Sequence, residues 1–191
     1  MIVYLHGFNS SPQSAKAQYL RRYLEERGGG SAYACPQLPH WPSLAIAAAE
    51  AEITRRSGRN VTLVGSSLGG FYATWLAERY GLRAVLINPA IEPHTGLRAY
   101  LGPQQPYNGG APYDLTERHL REWRELFVAQ VSPERYLLLV ETGDEVLDYR
   151  DAVRKYAGAK QVVVQGGDHS LASFPKHLSL ILAFAGMPST T

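Results

Sequence analysis

The residues with the clearest chemical potential are two adjacent serines in a glycine-rich turn. Residues 65–69 match the pattern G-x-S-x-G, with Ser67 at the centre. The apolar segment 60–64 precedes this turn and the helix-like segment 71–77 follows it, which is the strand, turn and helix arrangement of a nucleophile elbow. Such a turn lifts a serine hydroxyl clear of the backbone and requires neighbours without side chains. The pattern therefore predicts a nucleophilic serine.

The register of the pattern selects one serine of the pair. Ser66 would need small residues two positions away on each side, where the chain has Val64 and Leu68. Ser67 has glycine at both of these positions, so we predict that Ser67 is the nucleophile. The alternative is a Gly/Ser turn with no catalytic role, and the remaining residues of the site must decide between the two.

A serine that attacks acyl groups also needs an oxyanion hole. The apolar run 2–5 ends at His6 and a glycine, where a sharp turn would aim a backbone N–H above the sheet. Phe8 is the first choice for this donor and Asn9 the second, and the N–H of Leu68 is the expected partner donor. We interpret His6 as a structural histidine, because a base at this position would break the expected order of the triad.

The acid that orients the base is expected just past a strand end. Residues 135–141 form a buried strand by composition, and Asp144 and Asp148 follow it. Asp148 precedes a predicted helix through Tyr156, so its simplest role is to cap that helix. We therefore predict that Asp144 is the orienting carboxylate.

A histidine on a glycine-rich loop completes the constellation. His169 follows the predicted strand 161–165. The order Ser67, Asp144 and His169 is the chain order Ser, Asp, His of the hydrolases that use a nucleophile elbow. Asp168, its neighbour, is interpreted as a hydrogen-bonding residue of the loop, because adjacent side chains seldom align.

At the level of motifs the chain resembles the YqiA/YcfP-like family of small bacterial serine esterases, within the α/β-hydrolase superfamily. The resemblance implies a Ser-Asp-His triad at Ser67, Asp144 and His169 and hydrolysis of carboxylic esters or thioesters. It covers essentially the whole chain and does not supply a physiological substrate. The segments that carry it are 4–12, 65–70, 86–90, 142–149 and 167–169.

Alternating strand and helix patterns predict one three-layer α/β-hydrolase domain over residues 1–191, with a trimmed, mostly parallel sheet and helices on both faces. The predicted strands lie near 2–6, 31–35, 60–65, 83–87, 135–141 and 161–165. The predicted helices lie near 13–27, 42–57, 68–80, 115–129, 149–156 and 173–185. The proposed site residues fall at the carboxyl ends of strands, where such sheets bind ligands.

The segment 89–133 breaks this rhythm, because its first half is rich in proline and glycine and carries interleaved tyrosines. Loops of this length inside a compact domain are usually functional, and we expect a small cap over Ser67. The alternative is a surface excursion packed by its own aromatic side chains. Residues 40–42 are also expected to border the pocket. The residues predicted to line a substrate pocket are His6, Asn9, Trp41, Trp123 and Phe127.

Composition argues against several classes of function. The formal net charge is +2, and the arginines are scattered rather than concentrated on one element, so no nucleic-acid partner is expected. The single cysteine forms no internal disulfide. None of the six histidines stands in an H-E-x-x-H pattern, and we expect neither a metal nor a cofactor. The N-terminus has no signal-peptide pattern and no stretch is apolar enough to span a membrane, which favours a cytoplasmic protein.

The sequence thus predicts a serine esterase or thioesterase that acts on a small-molecule acyl substrate and needs no cofactor. A peptidase or amidase with the same triad is the alternative within enzymes. A non-catalytic binding protein on a hydrolase scaffold is the alternative outside them, although such proteins usually lack a triad member. The oligomeric state stays open.

Overall fold

The computed structural model describes residues 1–56 and 60–187, and a six-stranded sheet lies at its centre. Residue 57, which the sequence assigns to the second helix, lies outside the described residues. The strands are β1 (Ile2–Leu5), β2 (Tyr33–Ala34), β3 (Thr62–Ser66), β4 (Arg83–Ile87), β5 (Gly102–Gln104), β6 (Tyr113–Leu115), β7 (Tyr136–Glu141) and β8 (Lys160–Val164). The main sheet has the order β2-β1-β3-β4-β7-β8 and every neighbouring pair is parallel, whereas β5 and β6 form a separate antiparallel hairpin.

Helices connect the strands of the main sheet. They are α1 (Ala15–Glu25), α2 (Pro42–Arg55), α3 (Leu68–Tyr80), α4 (Pro93–Gly96), α5 (Glu117–Glu125), α6 (Tyr149–Lys155) and α7 (Leu178–Phe184). The last predicted helix, 173–185, begins as a 3-10 turn over Phe174–His177 and becomes α-helical only at Leu178. None of the helices in the described part of the chain is long and apolar enough to cross a membrane.

The sheet buries both faces because successive side chains of a strand point in opposite directions. On β7, Leu138 and Val140 pack in a core with α2, α3, α5 and α6. The intervening Leu137 and Leu139 pack in a second core with α1 and α7. Strands buried on both faces are nearly continuous in apolar residues, as parallel sheets require. The three-layer α/β architecture predicted from the sequence is confirmed.

The segment 89–133 is more ordered than its composition suggests. It contains α4, the β5–β6 hairpin and α5, and the hairpin was not predicted from the sequence. Helix α5 belongs to the core of the domain, because Leu120 and Trp123 are 3% and 1% exposed. Helix α5 is therefore a core element, and the cap over Ser67 stays a prediction.

Candidate active site

Ser67 occupies the turn between β3 and α3 with φ 54° and ψ −122°, in the left-handed half of backbone space that L-residues rarely adopt. The turn is possible because the backbones approach closely at two glycines. A Cβ on Gly65 would lie 2.3 Å from the Gly69 carbonyl oxygen, and a Cβ on Gly69 would lie 2.0 Å from that of Leu5. The Ser67 N–H donates to the carbonyl of Ile87 at 3.0 Å, which fixes the strained residue from β4.

A chain of hydrogen bonds joins the three residues predicted for the triad. His169 Nε2 lies 3.1 Å from Ser67 Oγ, and His169 Nδ1 lies 2.9 Å and 3.0 Å from the two carboxylate oxygens of Asp144. The Asp144 side chain is 1% exposed, and its Oδ1 also accepts the N–H groups of Val146 and Leu147, each at 2.9 Å. Residues from the ends of three different strands thus meet at one point.

The environment of Asp144 keeps it ionised and fixes the histidine tautomer. Burial alone would raise the pKa of Asp144, but hydrogen bonds from His169 and from the N–H groups of Leu147 and Val146 outweigh it, so the pKa lies below its usual value. An ionised carboxylate can only accept hydrogen bonds, so His169 Nδ1 must carry the imidazole proton. His169 Nε2 is then the acceptor that faces the hydroxyl of Ser67.

Asp148 has a different environment. Its Oδ1 accepts the N–H of Arg150 at 2.9 Å, which caps the N-terminus of α6, and its carboxylate pairs with the Arg150 guanidinium. The two acids considered in the sequence analysis are thus separated by geometry: Asp144 contacts His169, and Asp148 caps a helix.

The two predicted oxyanion donors are backbone N–H groups at the start of α3 and in the turn after β1. Leu68 is the first residue of α3, so its N–H is one of the unsatisfied donors at the positive end of that helix. Phe8 belongs to the turn after β1, and neither N–H donates to another residue in the described part of the chain. Close approach at Gly7 brings this turn to the serine, since a Cβ there would lie 3.2 Å from Ser67 Cβ.

A cavity of about 600 Å³ opens beside these donors. Gly7, Phe8 and Leu68 form part of its wall, and two of the residues predicted for a substrate pocket, His6 and Asn9, also line it. The loop of the β5–β6 hairpin supplies another part of the wall, including residues 108–111. The cavity therefore lies between the strand ends and the hairpin.

The other three residues predicted for the pocket do not line this cavity. Trp123 faces the core, where its indole N–H donates to the Tyr72 hydroxyl at 2.8 Å, and it is Tyr72 that reaches the cavity. Trp41 stacks on the ring of His119 at 3.8 Å. The ammonium of Lys155, the last residue of α6, lies over the ring of Phe127. Their aromatic character reflects packing of α5 against the domain, which composition alone does not distinguish from a pocket.

His6 is held by the backbone. Its Nε2 accepts the N–H of Leu38 at 3.1 Å, so Nδ1 carries the proton and donates to the carbonyl of Gly7 at 3.2 Å. Burial lowers the pKa of His6. A neutral imidazole that makes two hydrogen bonds to the backbone holds the turn that carries Phe8. This is a structural role for His6.

Sequence reasoning missed a buried carboxylate behind the histidine loop. Glu141, the last residue of β7, is 1% exposed and accepts the backbone N–H groups of Asp168, Ala172 and Ser173 at 2.8–3.0 Å. Burial would raise its pKa, but these hydrogen bonds hold the pKa below its usual value. An acidic residue that ends an otherwise apolar strand was the available signal.

Asn88 ties the same loop to the sheet from β4. Its amide nitrogen donates to the carbonyl groups of Asp168 and His169, both at 3.1 Å, and its Oδ1 accepts the N–H of Glu141 at 3.1 Å. Asn88 has φ 38° and is 2% exposed. Glu141 and Asn88 together place the backbone of His169, so they are positioning residues for the hydrogen-bond chain. Over the described ranges, no cluster of three His, Cys, Asp or Glu side chains could hold a metal ion.

Comparisons with known proteins agree with this architecture. A UPF0227 protein of Serratia proteamaculans (strain 568) is 23% identical over 192 residues, which cover 98% of this chain and 100% of that protein. The structure of mouse alpha/beta hydrolase domain-containing protein 10 superposes with a TM-score of 0.75 at 15% identity, covering 97% of this chain and 89% of that one. A structure from the study of LipS and LipT, two metagenome-derived lipolytic enzymes, has a TM-score of 0.70 at 18% identity. The superposition covers 97% of this chain and 92% of that one.

At these identities the likeness to solved structures establishes the fold, which is that of the α/β hydrolases. The model of the uncharacterised protein family UPF0227 matches residues 1–186, so the family resemblance read from the motifs is confirmed. The chain belongs to the UPF0227 family.

Proposed function

We propose that this protein is a serine hydrolase that cleaves small carboxylic esters or thioesters through an acyl-enzyme intermediate. The observation that carries the proposal is the hydrogen-bonded chain from Asp144 through His169 to Ser67, with Ser67 held in a strained turn. Solved neighbours of the same fold include lipolytic enzymes and an esterase domain, which is consistent with this class of reaction.

The proposed reaction begins when Ser67 Oγ attacks the acyl carbonyl and transfers its proton to His169 Nε2. Asp144 holds the imidazole and stabilises the imidazolium that forms. The N–H groups of Phe8 and Leu68 receive the oxyanion, which favours the tetrahedral intermediate. His169 then protonates the departing alcohol or thiol, and a water molecule releases the acyl group by the same route.

Hydrolysis of amides by the same residues is the second candidate. Ester and amide hydrolysis share the triad and differ in the protonation of the leaving group and in the shape of the site. A panel of p-nitrophenyl esters of increasing chain length, with acyl-CoA and p-nitroanilide counterparts, separates esterase, thioesterase and amidase activity. We expect turnover of short and medium esters and little turnover of anilides.

A fluorophosphonate probe tests the nucleophile directly. It should label the wild-type protein at Ser67 alone. Ser67→Ala should abolish labelling and lower ester hydrolysis by roughly 10⁴- to 10⁶-fold. Ser66→Ala is the matched control, because Ser66 is the adjacent serine and hydrogen-bonds to Tyr4 instead, and it should keep both labelling and turnover.

Failure would take one of two forms. Labelling at Ser66, or unchanged activity of Ser67→Ala, would reject the assignment of the nucleophile. A folded wild-type protein that neither reacts with the probe nor turns over any substrate of the panel would favour a non-catalytic binding protein.

A further inference from the structure

A relay of hydrogen bonds runs from the backbone to a histidine in the cavity wall. The N–H of Thr116 donates to His119 Nδ1 at 3.0 Å, so the neutral ring of His119 must carry its proton on Nε2. That Nε2–H faces His40 Nδ1 at 2.9 Å. His40 Nδ1 is therefore an acceptor, and the proton of His40 must lie on Nε2.

Packing holds both rings in place, although His119 is buried and His40 is exposed at the cavity wall. His119 is completely buried and stacks on Trp41 at 3.8 Å, and His40 stacks on Tyr113 at 4.2 Å with the two planes 14° apart. Burial, assisted by the neighbouring His40, lowers the pKa of His119 to about 4, and burial also lowers the pKa of His40. The Nε2–H of His40 has no acceptor in the described part of the chain.

The cavity that His40 lines is uncharged and mixes apolar with polar side chains. In the described ranges its wall contains no Asp, Glu, Lys or Arg. Aromatic and apolar faces come from Phe8, Leu38, Tyr72 and Tyr113, among others. A charged group that entered such a cavity would lose water without gaining a counter-ion, which is unfavourable.

The direction of the proposed reaction places the acyl group in this cavity. His169 must protonate the leaving group, so the leaving group lies on the side of His169, and His169 is not part of the cavity wall. Phe8 and Leu68, whose N–H groups would hold the oxyanion, do line the cavity. The acyl chain is bonded to the same carbon as the oxyanion and the leaving group, and we infer that it points away from His169 and into the cavity.

We propose that the cavity binds an uncharged acyl group that bears a hydrogen-bond acceptor, and that His40 Nε2–H donates to this acceptor. The proposal rests on the proposed function for the position of the scissile bond. It makes His40 a residue that determines substrate specificity, with His119 and Thr116 as its positioning residues.

Esters in which an oxygen replaces one methylene group test whether His40 Nε2–H donates a hydrogen bond to the acyl group. We would compare p-nitrophenyl octanoate with analogues in which an ether oxygen replaces one methylene group at successive positions of the chain. For the wild type we expect one position at which kcat/KM exceeds that of octanoate by roughly fivefold, the value of one hydrogen bond. His40→Phe keeps an aromatic ring but removes the donor, and it should remove this preference.

Two further variants complete this experiment. His40→Gln retains an N–H near the position of Nε2 and should restore part of the preference. His94→Phe removes a histidine that does not line the cavity and should keep the wild-type ratio. A preference that survives in His40→Phe, or no preference at any position in an active wild type, would overturn the proposal.

A charged acyl chain tests the second part of the proposal, that the cavity binds uncharged acyl groups. Mono-p-nitrophenyl suberate resembles the octanoate ester but ends in a carboxylate. Because the wall offers no cation, we expect its kcat/KM to be at least about tenfold lower than that of octanoate. Equal or faster hydrolysis of the suberate ester would overturn the assignment to uncharged acyl groups.

An experiment without turnover separates this proposal from the proposed function. In ¹⁵N-labelled Ser67→Ala protein, long-range ¹H–¹⁵N spectra should give the Nε2–H tautomer for both His40 and His119. The preferred oxa ester should shift the His40 Nε2–H signal, and octanoate should not. This shift, together with a wild-type protein that turns over no ester, would retain the proposal and reject the hydrolase. An Nδ1–H tautomer of His40, or no shift with any oxa ester, would overturn the proposal.

Discussion

Asp144 and Asp148 are only four residues apart, yet their surroundings give them different chemistry. Asp144 is buried and bonded to His169, whereas Asp148 is exposed and bonded to the first turn of α6. A carboxylate acts on a histidine only if backbone groups and burial fix the pair in one geometry. The role of each acid therefore depends on its contacts rather than on its position along the chain.

Separate substitutions of these two acids should distinguish an effect on catalysis from an effect on stability. Asp144→Asn should lower kcat on the order of 10⁴-fold, because the amide no longer holds the correct tautomer of His169. Asp148→Ala should keep the activity and lower the melting temperature slightly, because α6 loses its cap. Steady-state kinetics and thermal denaturation of both variants measure the effects. A large loss of kcat in Asp148→Ala would show that the acids are assigned in the wrong order.

Glu141 acts at one remove from the reacting atoms, and its charge should couple stability to pH. Its pKa is lower in the folded protein than in the unfolded chain, where it is about 4.3. The stabilisation is therefore complete above the unfolded value and is lost as the pH falls through the folded one. Glu141→Gln cannot satisfy three N–H donors in this way and should cost about 2–3 kcal/mol of unfolding free energy.

Urea denaturation at neutral pH and at pH values below the unfolded value of about 4.3 would measure this effect. The difference between the wild type and Glu141→Gln should be constant at neutral pH and shrink in acid. The exposed Glu134→Gln is the matched control and should behave as the wild type does. A difference that does not depend on pH would contradict an ionised Glu141.

At the scale of elements, Asn9 connects the turn after β1 to the β5–β6 hairpin. Its Oδ1 accepts the hydroxyl of Tyr113 at 2.7 Å, its amide nitrogen donates to Gln104 Oε1 at 3.0 Å, and its carbonyl accepts the N–H of Tyr107 at 2.8 Å. One residue thus bonds both strands and the loop of the hairpin. The position of the hairpin over the cavity depends on the same turn that carries Phe8.

Asn9→Gly should loosen the hairpin without strain, since Asn9 has φ 52° and glycine adopts this conformation easily. The variant loses two side-chain hydrogen bonds, so backbone amides of residues 102–115 should exchange with solvent roughly tenfold faster. Tyr80→Phe, which removes a hydroxyl bonded to Glu50 elsewhere, is the control. Unchanged exchange in Asn9→Gly would mean that other contacts hold the hairpin.

Most strands of the main sheet were predictable because they are apolar runs followed by glycine or polar residues. The β5–β6 hairpin was not, because Gly102 and Pro103 have low strand propensity and β5 is defined by its pairing with β6. Trp123 was misplaced for a related reason: burial of an aromatic side chain in a core or in a pocket is decided by tertiary packing. The residues around Ser67 could be predicted because a nucleophile elbow strongly restricts the local sequence. Glu141 could not, because it acts through hydrogen bonds to residues far along the chain.

At the scale of the whole molecule, one sheet is shared by two cores, and this should couple them. All three tryptophans report on one side: Trp75 and Trp123 belong to the core of α2 and α3, and Trp41 stacks on a ring of α5. Leu139 is fully buried in the opposite core, with α1 and α7. If the domain unfolds as one unit, a defect beside Leu139 must be detected by tryptophans across the sheet.

Leu139→Ala should cost about 2–5 kcal/mol, as cavities in cores do, and should shift the tryptophan fluorescence transition as much as the far-UV circular dichroism transition. Leu138→Ala, on the tryptophan side of the same strand, is the matched comparison. If the fluorescence midpoint stayed in place in Leu139→Ala while the circular dichroism midpoint moved, the two layers would unfold separately.

The backbone conformation of Ser67 also implies that the residue needed for the proposed reaction lowers the stability of the fold. A left-handed serine costs roughly 1–3 kcal/mol, and glycine would relieve most of this. Ser67→Gly should therefore melt at a higher temperature than Ser67→Ala, although both lack the hydroxyl and should be equally inactive. A lineage released from selection for hydrolysis would be expected to drift toward glycine at this position, so that lost activity would leave a more stable protein behind.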